Sequence, residues 1–278
     1  MSASTAGSGW RPSKVDWSTL LDPLGVACRE AGEAIRAIRQ QGFAVERKGD
    51  ASPVTEADRA AEAILLAALE RHAAGVPVVA EEEVAAGRVP GLDHAYFLVD
   101  PLDGTREFVR GGDDYTVNVG LIVGTAPLLG LVLAPEQGRL WAGVVGGEAW
   151  VEEASGERRP LKVRSVGEKL TVVASKSHMN QATRDYLAAE LPDAELVSVG
   201  SSLKFCLLAE GVADYYPRPS PTSEWDTAAG HAVLVAAGGR VDAVDGSPLV
   251  YGKAAFLNPG FAATAGWQGP PLQRYMPD

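Results

Sequence analysis

Apolar residues recur at helical spacing from Pro23 to Gln41. Leu24, Ala27, Cys28, Ala31, Ile35 and Ile38 fall on one face, and Glu30, Glu33, Arg36 and Arg39 fall off it. Gly42 supplies a stop. Phe43 to Arg47 has the length of a short strand, and Lys48 to Pro53 reads as a turn-rich loop. The pattern predicts a second helix over Thr55 to Arg71, with Ala57, Ala61, Ile64, Leu65 and Ala68 inward. Thr55 and Asp58 there have capping-box spacing. The next apolar runs are too short for helices. Val76 to Ala80 ends on Glu81-Glu82-Glu83, and Tyr96 to Val99 ends on Asp100. Thr116 to Val123, Leu128 to Ala134, Arg139 to Val144 and Glu148 to Glu152 read as hairpin-connected antiparallel sheet.

Ala154 to Lys169 is polar and charged, and it marks a domain boundary. Beyond it the rhythm becomes α/β. Strands are expected over Leu170 to Ala174, Glu195 to Val199, Val212 to Tyr216 and Arg240 to Val244. Helices are expected over Met179 to Glu190, Ser202 to Glu210 and Asp226 to Ala237. The class is therefore α/β: an α+β part over 18–155, then an α/β part over 156–278. Residues 1–17 read as a polar tail, rich in Ser and Gly at its start and expected to be disordered. The glycines read mostly as turn residues.

Composition removes several classes of function. The 278 residues are 46% hydrophobic and carry a formal net charge of −11. A nucleic-acid polymer is disfavoured, because a phosphate backbone needs a basic surface. No apolar run reaches transmembrane length. The two cysteines, Cys28 and Cys206, sit in apolar stretches and read as buried hydrophobes, which points to a reducing cytoplasm. The four histidines, at 72, 94, 178 and 231, lack zinc-motif spacing, and His231 reads as structural.

The chemistry concentrates where strands meet loops. In Asp100-Pro101-Leu102-Asp103-Gly104-Thr105, two carboxylates three positions apart can converge on a cation, with the Leu102 carbonyl as a third oxygen. Hard oxygen ligands favour Mg²⁺ over Zn²⁺. Gly104 permits close backbone approach, and a short helix from Thr105 through Phe108 would offer free amides to a phosphate. The competing reading is an Asx-type turn that closes a strand. Asp58 is either an ordinary first-turn acid or a partner for Thr105 in orienting a water. Asp226 is either a helix cap or a ligand. The loop before it, Tyr215 to Thr222, is rich in groups suited to an anionic, ring-bearing ligand.

Together, Pro53 to Asp58, Glu81-Glu82, Asp100 to Thr105 and Trp225 to Ala229 resemble the motifs of the inositol monophosphatase superfamily of Mg²⁺-dependent, lithium-sensitive phosphatases. Within it, Gly200 to Cys206, Ala209 to Gly211, Ala213 to Arg218, Asp226 to Val233 and Phe256 to Gly260 resemble the bacterial CysQ group, the 3'(2'),5'-bisphosphate nucleotidases. The resemblance implies a layered α-β-α-β-α sandwich. It assigns Glu81, Asp100, Asp103, Asp226 and the Leu102 carbonyl to two or three Mg²⁺ ions, and Gly104 and Thr105 to phosphate. It makes Asp58 and Thr105, beside Glu81, the catalytic water-activating group. It places Gly200, Ser201, Ser202, Lys204 and Arg218 around a nucleoside and its second phosphate, with Leu102, Asp103 and Asp226 also bordering the substrate. Glu224 departs from the common pattern: it would either weaken binding of a doubly phosphorylated ligand or face solvent. The partner implied is a small bisphosphorylated nucleotide, handled by a cytoplasmic monomer or homodimer, or by one resting on the inner membrane face. An inositol or sugar phosphatase on the same metal site is the alternative.

Overall fold

A computed structural model describes residues 16–48, 53–175 and 179–276. The tail up to residue 15, residues 49 to 52 of the turn-rich loop, and His178 lie outside them. The described chain opens with a 3-10 turn, Trp17–Leu20, whose first residue falls at the end of the segment assigned to the tail. Asp16 caps it by accepting from the Ser18 amide at 3.1 Å.

Among the described residues seven α-helices follow in chain order: α1 (Leu21–Gln41), α2 (Glu56–His72), α3 (Glu81–Ala85), α4 (Thr105–Val109), α5 (Gln181–Glu190), α6 (Leu203–Ala209) and α7 (Ala228–Ala236). The first half contributes strands β1 (Val45–Arg47), β2 (Pro53–Thr55), β3 (Val78–Ala80), β4 (Ala95–Asp103), β5 (Thr116–Val123), β6 (Ala126–Ala134), β7 (Arg139–Val144), β8 (Ala149–Glu152) and β9 (Arg158–Pro160). The second half contributes β10 (Thr171–Ser175), β11 (Glu195–Val199), β12 (Tyr215–Arg218), β13 (Thr222–Ser223), β14 (Arg240–Ala243), β15 (Leu257–Asn258) and β16 (Phe261–Thr264).

Strands β3 to β9 form one sheet in sequence order, parallel at β3–β4 and antiparallel elsewhere. Its faces follow the two-residue period of a strand. On β5, Val117, Val119 and Leu121 face α1 and α2, where they meet the apolar stripe of Leu24, Cys28, Ala31 and Ile35. The intervening Asn118, Gly120 and Ile122 face α6 and α7. Burial of each such Leu, Ile or Val stabilises the fold by about 1.5–3 kcal/mol.

The second sheet runs β11-β10-β12-β16-β14. It covers the far side of α6 and α7 through Val173, Tyr216, Phe261 and Ala263. On its outer face α5 packs Tyr186 against Val172, Tyr215, Ala262 and Leu272. The layers are therefore helix, sheet, helix, sheet, helix. One core runs from the first sheet through α6 and α7 into the second.

The second half is not simple α/β alternation. Strand β16, absent from the sequence pattern, lies antiparallel between β12 and β14, while β10 is parallel to both β11 and β12. Strand β4 also runs past Val99 through the acidic segment to Asp103. Its register against β5 shifts between Asp100 and Asp103, so the carboxylates sit on an irregular strand end.

Three glycines serve packing and not turns. Gly120, Gly130 and Gly143 are register partners across β5, β6 and β7. A Cβ on Gly130 would lie 2.1 Å from the Ala229 carbonyl oxygen, and one on Gly120 would lie 2.8 Å from the Ala228 Cβ. This bare track lets α7 lie on the sheet and fixes the height of Asp226 just before it.

Candidate active site

The start of α2 meets the end of β4. Thr55 caps α2 and forms a capping box with Asp58. Asp58 Oδ2 accepts from the Thr55 amide at 2.7 Å and from its hydroxyl at 2.8 Å. The other carboxylate oxygen, Oδ1, lies 3.1 Å from Thr105 Oγ1. That hydroxyl is also 3.0 Å from the Leu102 carbonyl. Asp58 therefore both caps the helix and faces Thr105. Burial raises the Asp58 pKa above the ordinary range, opposed by the hydrogen bonds from Thr55. Gly104, at φ +96°, leads into α4; a Cβ there would press on the Asp114 carbonyl at 2.9 Å.

Beside this pair, Asp100 and Asp226 each feel the charges of Glu81 and Asp103. Asp100 is pushed well above the usual range, first by burial and then by Glu81, Asp103 and Asp226. Asp226 is also raised well above that range, first by burial and then by Asp103 and Glu81. Asp103 is pushed up to about 6, chiefly by burial, with Lys204 opposing and Glu81 adding. Asp100 is 1% exposed. Its Oδ1 accepts from the Leu102 amide at 3.0 Å, and Ser223 donates its amide to Asp226 Oδ2 at 3.0 Å. Three elements thus deliver mutually repelling oxygens: the start of α3, the end of β4 and the loop before α7.

This donor set fits a hard divalent cation. It is all oxygen, Asp100 is buried and the others half-buried, and burial and like charge hold Asp100, Asp103 and Asp226 toward the protonated form, which a divalent cation would offset. Among the described residues, no three acidic, His or Cys side chains are drawn together as a closed metal cage. Glu81 is instead turned to Lys48, whose ammonium lies 2.5 Å from Glu81 Oε1 and 2.6 Å from Glu82 Oε1.

The facing wall comes from the second half. Lys204 is 3% exposed. Burial lowers its pKa to about 8, against the attraction of Asp103. Its ammonium donates to the Ser201 carbonyl at 2.5 Å and sits 5.2 Å over the Tyr216 ring. Ser201 has φ +45°. Ser201 Oγ and Arg218 Nε are buried without a hydrogen-bond partner among the described residues. A cavity of about 260 Å³ joins the two walls: Glu81, Asp103, Gly104, Thr105, Ser201, Lys204, Arg218 and Asp226 all line it.

Some expected residues stand elsewhere. Gly200 and Ser202 do not line the cavity. The Gly200 amide donates to Asp114 Oδ2 at 3.2 Å. Ser202, 1% exposed, turns its hydroxyl toward Asp103 and the Asp226 carbonyl. Asp100, Leu102 and Asp58 lie behind the lining. Neither alternative for Glu224 holds. It is fully buried, accepts from the amides of Gly252 and Lys253 at 2.9 and 3.0 Å, and pairs with the Lys253 ammonium at 2.7 Å. It clasps the chain next to Phe256 and presents no charge to the cavity.

Sequence reasoning passed over Ser175, Glu107 and Ser223 in the lining. It also passed over Lys48 at the acidic cluster and Asn118 behind it. Asn118 had a signal: it is the one amide in the apolar run Thr116 to Val123. Ser223 had none, because it acts through its backbone amide. His231 is structural, as its helical position implied. Its Nδ1 meets Tyr251 Oη at 2.9 Å, and burial lowers its pKa to about 3.

A family model described as the inositol monophosphatase family matches residues 16–268. The chain belongs to that family. It is 43% identical to the 3'(2'),5'-bisphosphate nucleotidase CysQ of Salmonella typhimurium over 248 residues, which are 88% of this chain and 99% of that protein. It is 43% identical to the protein of the same name from Escherichia coli K12, over 87% of this chain and 98% of that one. Among solved structures, CysQ from Bacteroides thetaiotaomicron superposes with a TM-score of 0.77 at 33% identity, covering 91% of this chain and all of that one. An inositol monophosphatase from Anabaena superposes at 0.72 and 27% identity, covering 94% of this chain.

Proposed function

We propose that the chain hydrolyses the 3'-phosphate of adenosine 3',5'-bisphosphate to AMP and phosphate with Mg²⁺, and acts on 3'-phosphoadenosine 5'-phosphosulfate as a second substrate. One observation carries this reading: Thr105 and the acidic residues Glu81, Asp103 and Asp226 share a single cavity with the cations Lys204 and Arg218. A substrate with one phosphate to cleave and a second anion to hold matches that division. The nucleotidase activity for which the CysQ relatives are named supports it.

Glu81, Asp100, Asp103, Asp226 and the Leu102 carbonyl would hold two or three Mg²⁺ ions. Bound Mg²⁺ supplies a Lewis acid that offsets phosphoryl charge and acidifies water. The protein's own groups do the rest. The Thr105 hydroxyl has one proton and two acceptors in reach, and the Asp58 carboxylate is the stronger. With its proton given to Asp58, the Thr105 oxygen accepts a proton from the attacking water. Thr55 fixes the Asp58 oxygen that faces away from Thr105, which keeps that geometry. The first amides of α4 receive the phosphate that is cleaved. Lys204 and Arg218 take the second anionic group, and Tyr216 and Trp225 wall the nucleoside. The part up to residue 155 supplies most of the metal side, and the part from 156 supplies the substrate side and Asp226.

Phosphate release from a panel of nucleotide, inositol and sugar phosphates tests this. The bisphosphate nucleotide should react fastest, EDTA should abolish release, and Li⁺ should inhibit it. Faster release from inositol 1-phosphate would overturn the substrate assignment.

A further inference from the structure

Ser202 is the N-cap residue of α6, yet its side chain makes no capping hydrogen bond. A serine there normally accepts from an amide of the first helical turn, which stabilises the helix by about 1 kcal/mol. The hydroxyl is committed elsewhere. Its Oγ lies 3.1 Å from Asn118 Nδ2, 3.2 Å from Asp103 Oδ2 and 2.8 Å from the Asp226 carbonyl oxygen. Ser202 is 1% exposed and Asn118 is fully buried, so no solvent competes for these bonds.

The chemistry of the three partners sets a direction. A hydroxyl has one proton to give and lone pairs to receive with. Asp103 and the Asp226 carbonyl are acceptors only. With its amide nitrogen toward Ser202, Asn118 is a donor only. The amide therefore occupies a lone pair of Ser202 and leaves the single hydroxyl proton shared, as a three-centre hydrogen bond, between the Asp226 carbonyl at 2.8 Å and Asp103 Oδ2 at 3.2 Å. Asn118 has no place in the cavity lining, and it lies opposite Asp100 in the β4–β5 register.

We propose that Asn118 and Ser202 act in series as positioning residues: Asn118 orients Ser202, and Ser202 ties Asp103 on β4 to the backbone of Asp226 before α7. Asp103 and Asp226 come from opposite halves of the chain and are held apart by like charge. The tie sets their separation and thereby the affinity for Mg²⁺. The inference rests on the metal-site reading given above, but not on the identity of the substrate.

A mutant cycle on the full chain tests it, with Mg²⁺ alone titrated by calorimetry and melting curves as a check on the fold. Ser202→Ala should weaken Mg²⁺ binding about tenfold or more, the usual range for partners that orient metal ligands. Asn118→Ala should weaken it as well, and the double variant should match Ser202→Ala alone, because one residue works through the other. At saturating Mg²⁺ the nucleotide KM should stay near the native value. Should Asn118→Ala fail to fold, Asn118→Ser replaces it in the cycle. Native Mg²⁺ affinity in either folded single variant overturns the proposal, as does a double variant whose loss is the product of the two single losses. A native protein that binds Mg²⁺ but releases no phosphate from nucleotides refutes the substrate reading alone, and the calorimetric cycle still decides this one. A native protein that binds no Mg²⁺ removes both.

Discussion

Asp103 shows how a residue proposed for the metal site can be costly to the fold. Burial and the charge of Glu81 outweigh Lys204 and Ser202 and hold its pKa near 6, above the 3.8 of a free side chain. The folded protein thus binds this proton more tightly than the unfolded chain does. Its contribution to stability is complete below about pH 4 and is lost as the pH rises through about 6. Asp103→Asn, measured in EDTA, should therefore melt above the native protein near pH 7, with the difference shrinking on acidification toward about pH 4. With Mg²⁺ present, the same substitution should cut turnover about a hundredfold or more. Native turnover at saturating Mg²⁺ would remove Asp103 from the site. Asp58, Asp100 and Asp103 were legible because each stands at a capping position or strand end that local sequence marks. Asn118 and Glu224 act across 84 and 28 residues of chain, and no local pattern records such distances.

Helix α7 illustrates what a whole element requires. Its run Ala228–Ala236 is buried on several sides, so no amphipathic stripe reveals which face meets which sheet. The row Gly120, Gly130 and Gly143 answers that. Gly130→Ala should destabilise the protein by about 3 kcal/mol, the upper part of the usual range for overpacking, because the added Cβ meets the Ala229 carbonyl. Denaturant unfolding measures the loss, and a change under about 0.5 kcal/mol would show that α7 has room to shift. Activity should fall along with stability, since α7 sets the position of Asp226. Helices α1 and α2 were read nearly to the residue because each has one wet face. Strand β16 escaped because the run Phe261 to Thr264 is short and lacks alternation, and only its neighbours β12 and β14 identify it as sheet.

Across the molecule, the proposed metal site would link ion binding to folding. The four carboxylates proposed to hold Mg²⁺ are far apart in the unfolded chain, so an ion bound there would favour the folded form. At free Mg²⁺ about a hundredfold above its Kd, the ion should add about 2.7 kcal/mol to stability. Unfolding in denaturant with Mg²⁺ and with EDTA compares the two; equal midpoints would mean that the carboxylates hold no ion. The net charge of −11 does not oppose an anionic substrate at this place, because Lys204 and Arg218 supply the local field and a bound cation would reverse the rest.

The amphipathic helices, the first sheet and the acidic segment with its hard-cation chemistry are all present in the order of the residues, because each depends on neighbours a few positions away. The motifs held in common with the family extended that to the layered fold and to a phosphatase reading. Tertiary structure alone decided that Ser202 leaves its cap to join Asp103 and Asp226, that Glu224 clasps Gly252 and Lys253, and that a glycine track seats α7. Each of these depends on which distant groups a buried polar atom or a bare backbone meets. Burial imposes that demand for a partner, and only the packing of one sheet on another names the partner.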